Sequence, residues 1–276
     1  MTGSCARELI ASSGLPRPEA GLLLQRAARV SRTWLIAHDD EPLPEDAVRR
    51  FQDWAARRRA GEPVAYLLGE REFMSHAFTV TPAVLIPRPE TELLVETALA
   101  HLAGRHAPRV LDLGTGSGAI AVSIALARPD AHVTATDSSA EALAVAAGNA
   151  RRLGARVDFR QGSWYDALRD TPALPFDVIV SNPPYIASGD VHLSQGDLRF
   201  EPPQALTDRA DGLQALRAIA SGARPHLAPG GALWMEHGWD QAEDVRDMLR
   251  TGGFQEVASR RDLAGIERIS GGEHPG

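Results

Sequence analysis

Lysine is missing altogether: all 29 basic residues of this 276-residue chain are arginine. The bias reads as genome composition rather than as a recognition device. A net basic face is lacking too, since 36 acidic residues leave a formal charge of −7 and a pI near 5.7. That balance argues against a surface built mainly to hold a nucleic-acid backbone, which needs phosphate neutralisation, and leaves room only for a local basic patch. Cysteine occurs once, at Cys5, which excludes an intrachain disulfide and points to a reducing, cytosolic setting. Cys5 lies in an N-terminal stretch expected to be mobile, and no reactive role is assigned to it. Apolar runs long enough to span a bilayer are absent, and "MTGSCARELIASSGLPRPE" lacks a signal peptide's charged start and apolar run. A soluble, cytoplasmic protein with no membrane partner is expected. Internal repeats and low-complexity segments are absent as well.

What is present is a 43% hydrophobic chain, long enough for one large domain and a small one. Residues 1–64 read as a small helical bundle: "PEAGLLLQRAARV", then "SRTWLIA" with Ser31 as N-cap, then "LPEDAVRRFQDWAARRRAG". In the last of these Val48, Phe51, Trp54 and Ala55 share one face and Gly61 supplies the stop, while Arg57, Arg58 and Arg59 read as a solvated face. Residues 65–86 read as a hairpin or extended linker carrying the domain boundary. From 87 to 276, after a helix starting near Pro89 or Glu90, strands and helices alternate. Strands are predicted at 109–113, 132–136, 156–160, 178–181, 232–236, 254–258 and 266–270, with helices at 118–127, 140–153, 213–223 and 241–249. This is the doubly wound α/β pattern, a Rossmann-like parallel sheet whose ligands sit at the carboxyl ends of the strands. The tail past Ser270 is expected to be disordered.

Between the first of those strands and its helix, "DLGTGSG" places Gly114, Thr115, Gly116, Ser117 and Gly118 where the backbone turns tightly and approaches a ligand closely. The spacing is not that of the dinucleotide fingerprint, so a pyrophosphate is not the first expectation. Asp137, closing the next strand in "HVTATD", stands where a carboxylate accepts ribose hydroxyls; the competing reading is an N-cap, which Ser138 or Ser139 fills instead. Asp112 either reaches a ligand's ammonium end or braces the loop. Trp164, in "RQGSWYDAL", offers a flat face and one donor to an adenine edge, with core packing as the competing reading.

The fourth strand ends in "SNPPY". Residues before proline are pushed to extended conformations, and proline donates no hydrogen bond, so carbonyls here are stiffly presented. The side-chain oxygen of Asn182 and the carbonyl of Pro183 form a pair of acceptors for a planar NH₂ group, Pro184 stiffens the turn, and Tyr185 supplies a ring for stacking. Such a grip restrains a nitrogen whose lone pair is delocalised, aims it at an electrophile and stabilises the charge that develops on attack.

"DLGTGSG", "TATD" and "NPPY", in that order, resemble the cofactor loop, ribose acid and amino-methylation motif of class I S-adenosylmethionine-dependent methyltransferases. With "GEPVAYLLGEREF", "LIPRPETELLVE", "GDLRFEPPQAL", "ADGL" and "EHGWDQ", nearly the whole chain resembles the protein-(glutamine-N5) methyltransferases of the HemK/PrmC family. The resemblance implies S-adenosylmethionine as cofactor, held by the glycine loop, Asp137 and Trp164. It implies as partners the class I peptide chain release factors, methylated on the glutamine of their Gly-Gly-Gln motif. Asn182, Pro183, Pro184 and Tyr185 would receive the glutamine amide, and Asn182 would lie close to both ligands. In-line transfer without a metal, a covalent enzyme intermediate or an obligatory general base is expected, from a monomer with no direct nucleic-acid substrate. The N-terminal helices are the natural grip for a large partner. Arg88 and Arg199 are candidates for substrate contacts or surface ion pairs, and Glu236 and His237 for positioning or chemical roles near the strand end. Three other readings stand beside this one: glutamine methylation of a ribosomal protein, amino-group methylation of an extruded nucleic-acid base such as adenine N6, and a non-catalytic module that keeps the fold.

Overall fold

The computed structural model describes residues 4–169 and 174–275. The chain divides into two compact units, Met1–Glu70 and Arg71–Gly276.

The first unit is helical: α1 (Ala6–Ser12), α2 (Arg17–Ala28), α3 (Arg32–Ala37), α4 (Glu45–Arg59) and α5 (Val64–Leu68). Ser31 caps α3, its side chain accepting from the Trp34 N–H at 3.1 Å. The apolar stripe of α4 packs inward as the spacing requires, Phe51 and Ala55 buried with Leu23, Leu24 and Leu67, and Val48 and Trp54 against them. The arginine run is less free than expected: Arg58 bonds Glu19 and Arg59 donates to the Ser13 carbonyl at 2.6 Å, so both tie α4 to the start of the bundle. Two further expectations are corrected. Cys5 is not part of a mobile end; it is buried, precedes α1 and makes a β-bridge with Pro42. Residues 65–86, expected as a hairpin or extended linker, do hold a hairpin at Glu70–Phe73 and His76–Thr79, but the stretch opens with a helix that was not expected, Val64–Leu68 forming α5 and burying Tyr66 and Leu67.

The hairpin β1 (Glu70–Phe73) and β2 (His76–Thr79) leads into the larger unit, where Phe73 and Phe78 join the main core and meet edge to face with centroids 6.0 Å apart. The hairpin is therefore a piece of that core, anchored further by Asn149, whose Oδ1 accepts from Thr79 N at 2.8 Å and whose Nδ2 donates to Thr79 O at 3.0 Å. After a 3-10 turn at Pro89–Thr91 come α6 (Glu92–His101), β3 (Arg109–Leu113), α7 (Ala119–Ala127), β4 (His132–Asp137), α8 (Ala140–Leu153), β5 (Val157–Gln161) and β6 (Phe176–Ser181). The chain ends with α9 (Pro203–Leu206), α10 (Gln214–Gly222), β7 (Leu227–Glu236), α11 (Ala242–Thr251), β8 (Gln255–Arg261) and β9 (Glu267–Glu273).

The seven-stranded sheet runs β5-β4-β3-β6-β7-β9-β8, parallel except for antiparallel β9, which pairs with both β7 and β8. Val110, Leu111 and Leu113 of β3 are fully buried, as a central parallel strand covered on both faces demands. Strand order reverses between β3 and β6, so their carboxyl ends open the crevice in which doubly wound sheets bind ligands. The tail is corrected here: β9 continues to Glu273, with Leu233 opposite Gly272 and Trp234 opposite Gly271. A glycine pair carries little strand propensity and reads as an end, yet here glycine is required, because a side chain on Gly271 would collide with the Trp234 ring.

Candidate active site

A cavity opens at that switch point, bounded by the loop after β3, the ends of β4, β5 and β6, and the segments around Val84–Thr91 and Pro202–Ala205. The loop after β3 is held by its own backbone, Gly114 N and Thr115 N both donating to Thr136 O at 2.9 Å. Gly116 (φ 55°) and Gly118 (φ 82°) sit in the left-handed region. Their surroundings differ. A Cβ on Gly116 would meet open space, whereas one on Gly118 would lie 3.0 Å from the Ala146 Cβ of α8. The first glycine thus clears the cavity and the second lets helix α8 close against the loop.

Asp137 ends β4 with Oδ2 accepting from Gly116 N and Oδ1 from Ser139 N, both at 2.9 Å. The α8 cap is Ser139, which accepts from Ala142 N at 3.1 Å, so Asp137 is spared that task and lines the cavity with lone pairs to spare. Asp112 lies beneath the loop, fully buried: its Oδ2 accepts from Thr115 Oγ1 at 2.7 Å and Ala121 N at 3.2 Å. Burial pushes its pKa up to about 7 against those two hydrogen bonds, and its Oδ1 has no partner among the described residues. Trp164 combines the two roles weighed for it. It packs against the core under β6 and β7 and also walls the cavity, close enough that a Cβ on Gly114 would lie 3.3 Å from its ring. Its left-handed backbone (φ 46°) is strain of the kind that clusters at binding sites.

At the end of β6, Asn182 and Pro184 face the cavity, while Pro183 is buried. The Asn182 Nδ2 donates to Thr91 Oγ1 at 3.2 Å, and among the described residues the side-chain Oδ1 has no hydrogen-bond donor. Tyr185 packs against the core and donates its hydroxyl to Glu236 Oε1 at 3.3 Å. Its backbone is gripped from another direction: Gln241 Nε2 donates to Tyr185 O at 3.0 Å and to Gly212 O at 3.3 Å, while Ile186 N bonds Leu206 O at 3.0 Å. Those contacts give "ADGL", "EHGWDQ" and "PPQAL" one physical task, holding the loop after β6 in place.

The remaining candidates sort cleanly. Arg88 lines the cavity but is paired with the buried Glu201, which also accepts from Ile86 N at 2.9 Å. The guanidinium of Arg199 lies over the Phe200 ring at 5.0 Å. His237 is fully buried, its Nδ1 donating to Gly238 O and its Nε2 accepting from Ser270 Oγ, both at 2.8 Å. Burial lowers its pKa, and its two hydrogen bonds tie the end of β7 to Gly238 and to Ser270 of β9. Glu236 is buried beside Tyr185 with its pKa raised to about 7 by desolvation. The cavity therefore brings together Gly114, Thr115, Gly116, Ser117, Asp137, Trp164, Asn182 and Pro184, and leaves Asp112, Gly118, Pro183 and Tyr185 behind its wall. Sequence reasoning missed Thr91, Glu201 and Gln241; their motifs "PRPET", "EPPQAL" and "EHGWDQ" were visible, but nothing local to them announces a partner some 50 to 115 residues away.

Among the described residues no cluster of His, Cys, Asp and Glu is arranged to hold a metal, and no helix is long and apolar enough to cross a membrane. Comparison with known proteins matches residues 4–69 to a PrmC N-terminal domain and residues 89–198 to a methyltransferase small domain. The release factor glutamine methyltransferase of Bordetella pertussis is 65% identical over 96% of this chain and 98% of its own length. That of Burkholderia pseudomallei is 57% identical over 98% and 96%. A Pyrococcus furiosus methyltransferase of known structure shares the fold, with a TM-score of 0.54 at 20% identity over 81% of this chain and 98% of that one.

Proposed function

We propose that this chain, which belongs to the release factor glutamine methyltransferases, moves a methyl group from S-adenosylmethionine to the side-chain amide N5 of the glutamine in the Gly-Gly-Gln motif of class I peptide chain release factors. The observation that carries this reading is the pairing, across one switch-point cavity, of a glycine loop with its acid and an Asn182 whose Nδ2 is already bonded. The residues fit the cofactor: the open space over Gly116 would accommodate it, Asp137 would accept its ribose hydroxyls and Trp164 would flank its adenine, while Asp112, behind the cavity wall, braces the loop through Thr115 and Ala121. When bound, S-adenosylmethionine would supply an electrophilic methyl group on a sulfonium, whose S–CH₃ bond breaks as the nitrogen attacks so that neutral S-adenosylhomocysteine is the leaving group.

The chain's own residues then act on the acceptor. Asn182 Oδ1 and the Pro183 carbonyl accept the two hydrogens of the glutamine NH₂, fixing the nitrogen and stabilising the positive charge it gains as the new bond forms. Tyr185, packed behind the cavity wall with its hydroxyl on Glu236, would support the loop after β6 rather than stack on the amide. The proton leaves after attack, so no residue need abstract it beforehand. The helical unit grips the body of the release factor, and the enzyme works as a cytoplasmic monomer.

The test uses tritiated S-adenosylmethionine with an unmodified class I release factor, the same factor with its motif glutamine changed to asparagine, ribosomal protein, and nucleic acid. Label confined to the first supports the proposal. Label on ribosomal protein or on nucleic acid instead transfers the assignment to that substrate.

A further inference from the structure

Single exposed apolar residues are ordinary on a protein surface, but a set of them gathered along one edge is not. Among the described residues of the larger unit, the large apolar side chains that stand exposed are Leu174, Val191, Trp239, Leu263 and Ile266. All but Leu174 belong to loops at the carboxyl edge of the sheet. Val191 lies in the segment that leads on from β6 and Asn182, and Trp239 follows β7, which runs parallel to β6 beside it. Leu263 and Ile266 occupy the tip joining β8 to β9, and that tip projects from the same edge because β9 runs antiparallel to β7 with Ile269 opposite Glu236. The cavity that holds Asn182 opens at this edge too.

Trp239 stands apart within the set. The other four tryptophans are buried or half-buried, whereas Trp239 is 71% exposed and its ring meets no hydrogen-bond or ring partner among the described residues. The turn that carries it is tight, closed by Gln241 N donating to Gly238 O at 3.1 Å and by Gly238 N donating to Gln241 Oε1 at 2.8 Å. The Nε2 of the same side chain donates to Tyr185 O at 3.0 Å. One glutamine therefore ties the turn of Trp239 to the loop that carries the acceptor residues.

A glutamine delivered by a folded protein enters the cavity only if the body of that protein comes to rest on the rim around it. Tryptophan offers such a partner a large contact area with few rotors to freeze, and a side chain already held in place loses little freedom on docking. We propose that Trp239 is the anchor of this rim, seated on the release-factor domain that presents the Gly-Gly-Gln loop, with Val191, Leu263 and Ile266 as its flanking contacts. This role rests on the methyltransferase reading above. It makes Trp239 a specificity-determining residue for the protein substrate, with no part in the methyl-transfer step.

The test labels the enzyme with 5-fluorotryptophan. The chain holds five tryptophans, so ¹⁹F nuclear magnetic resonance shows five signals, and Trp239→Phe assigns the one that matters. In free enzyme a soluble gadolinium chelate broadens the Trp239 signal most, and unmodified class I release factor added with S-adenosylhomocysteine shifts that signal and protects it. In methylation assays Trp239→Ala raises KM for the intact factor at least about tenfold, as loss of an interface hot spot does, while kcat, the cofactor Kd and Tm keep their wild-type values. Leu174→Ser, before the amino end of β6 and so at the opposite edge of the sheet, leaves KM unchanged. A Trp239 signal that stays exposed beside a factor the same enzyme methylates overturns the anchor while the methyltransferase reading stands, and so does an unchanged KM in Trp239→Ala or an equal rise in Leu174→Ser. Protection of Trp239 in the enzyme alone as its concentration rises assigns the rim to a second copy of this chain and overturns the anchor as well. If wild-type enzyme methylates no release factor, the functional reading falls and the anchor with it.

Discussion

Adding one methyl group to either of two glycines in the loop after β3 separates a stability role from a binding role. Alanine in the left-handed region costs about 1–2 kcal/mol at either position. At Gly118 the new Cβ also meets Ala146 Cβ at 3.0 Å, Ala146 Cα at 3.2 Å and Val122 Cγ2 at 3.3 Å, contacts that only a shift of α8 or α7 relieves. Overpacking of that kind adds about 1–3 kcal/mol, for a total of about 2–5 kcal/mol. At Gly116 nothing lies within 4 Å, so only the conformational cost applies, and the methyl group projects into the space assigned to the cofactor. In a unit of this size each kcal/mol lowers Tm by roughly 2–4 °C. Scanning fluorimetry should therefore show Gly118→Ala melting clearly below Gly116→Ala. Calorimetry should show the reverse order of harm, with Gly116→Ala losing affinity for S-adenosylmethionine while melting only a few degrees below wild type. Equal drops in Tm, or wild-type affinity in Gly116→Ala, would refute this account of the loop.

Four other outcomes are expected. Asp137→Ala weakens cofactor binding, measured by calorimetry, more than it lowers turnover at saturation. Asn182→Ala does the opposite, lowering kcat roughly 10²-fold with cofactor affinity little changed, in line with the loss of one acceptor aimed at developing charge. Trp164→Ala raises the cofactor Kd by up to about tenfold, the value of one aromatic contact. Asp112 and Glu236 both have folded pKa values raised to about 7. The unfolded chain releases those protons near pH 4, so between about 4 and 7 the native state binds more protons and stability falls as pH rises. Urea unfolding from pH 5 to 8 should show that decline, and it should flatten in Asp112→Asn combined with Glu236→Gln. Below about pH 6.5 His237 works against the trend, because its lowered pKa makes protonation costly to the native state.

Much of the architecture was legible because parallel strands and their helices carry strong periodic signals. Residues 140–153 were expected as one of the helices filling the gaps between strands, and α8 spans them. Two misreadings had specific causes. Gly271 and Gly272 looked like the end of a strand, although their lack of side chains is what lets β9 lie against Trp234. Residues 65–86 were expected as a hairpin or extended linker; the hairpin forms, but α5 at its start was missed, and the two hairpin phenylalanines find their core only in the larger unit. At the site, glycine, aspartate and asparagine announce themselves by type and spacing. Thr91, Glu201 and Gln241 do not, since each matters through a hydrogen bond to a residue remote in sequence.

The most direct measurement is peptide mass spectrometry with fragmentation of an unmodified class I release factor after incubation with this enzyme and S-adenosylmethionine, run beside Asn182→Ala. One added methyl group located on the amide nitrogen of the Gly-Gly-Gln glutamine, greatly reduced in the variant, is the predicted result. A methyl group on any other atom of the factor, or none despite demonstrated cofactor binding, would contradict the central claim.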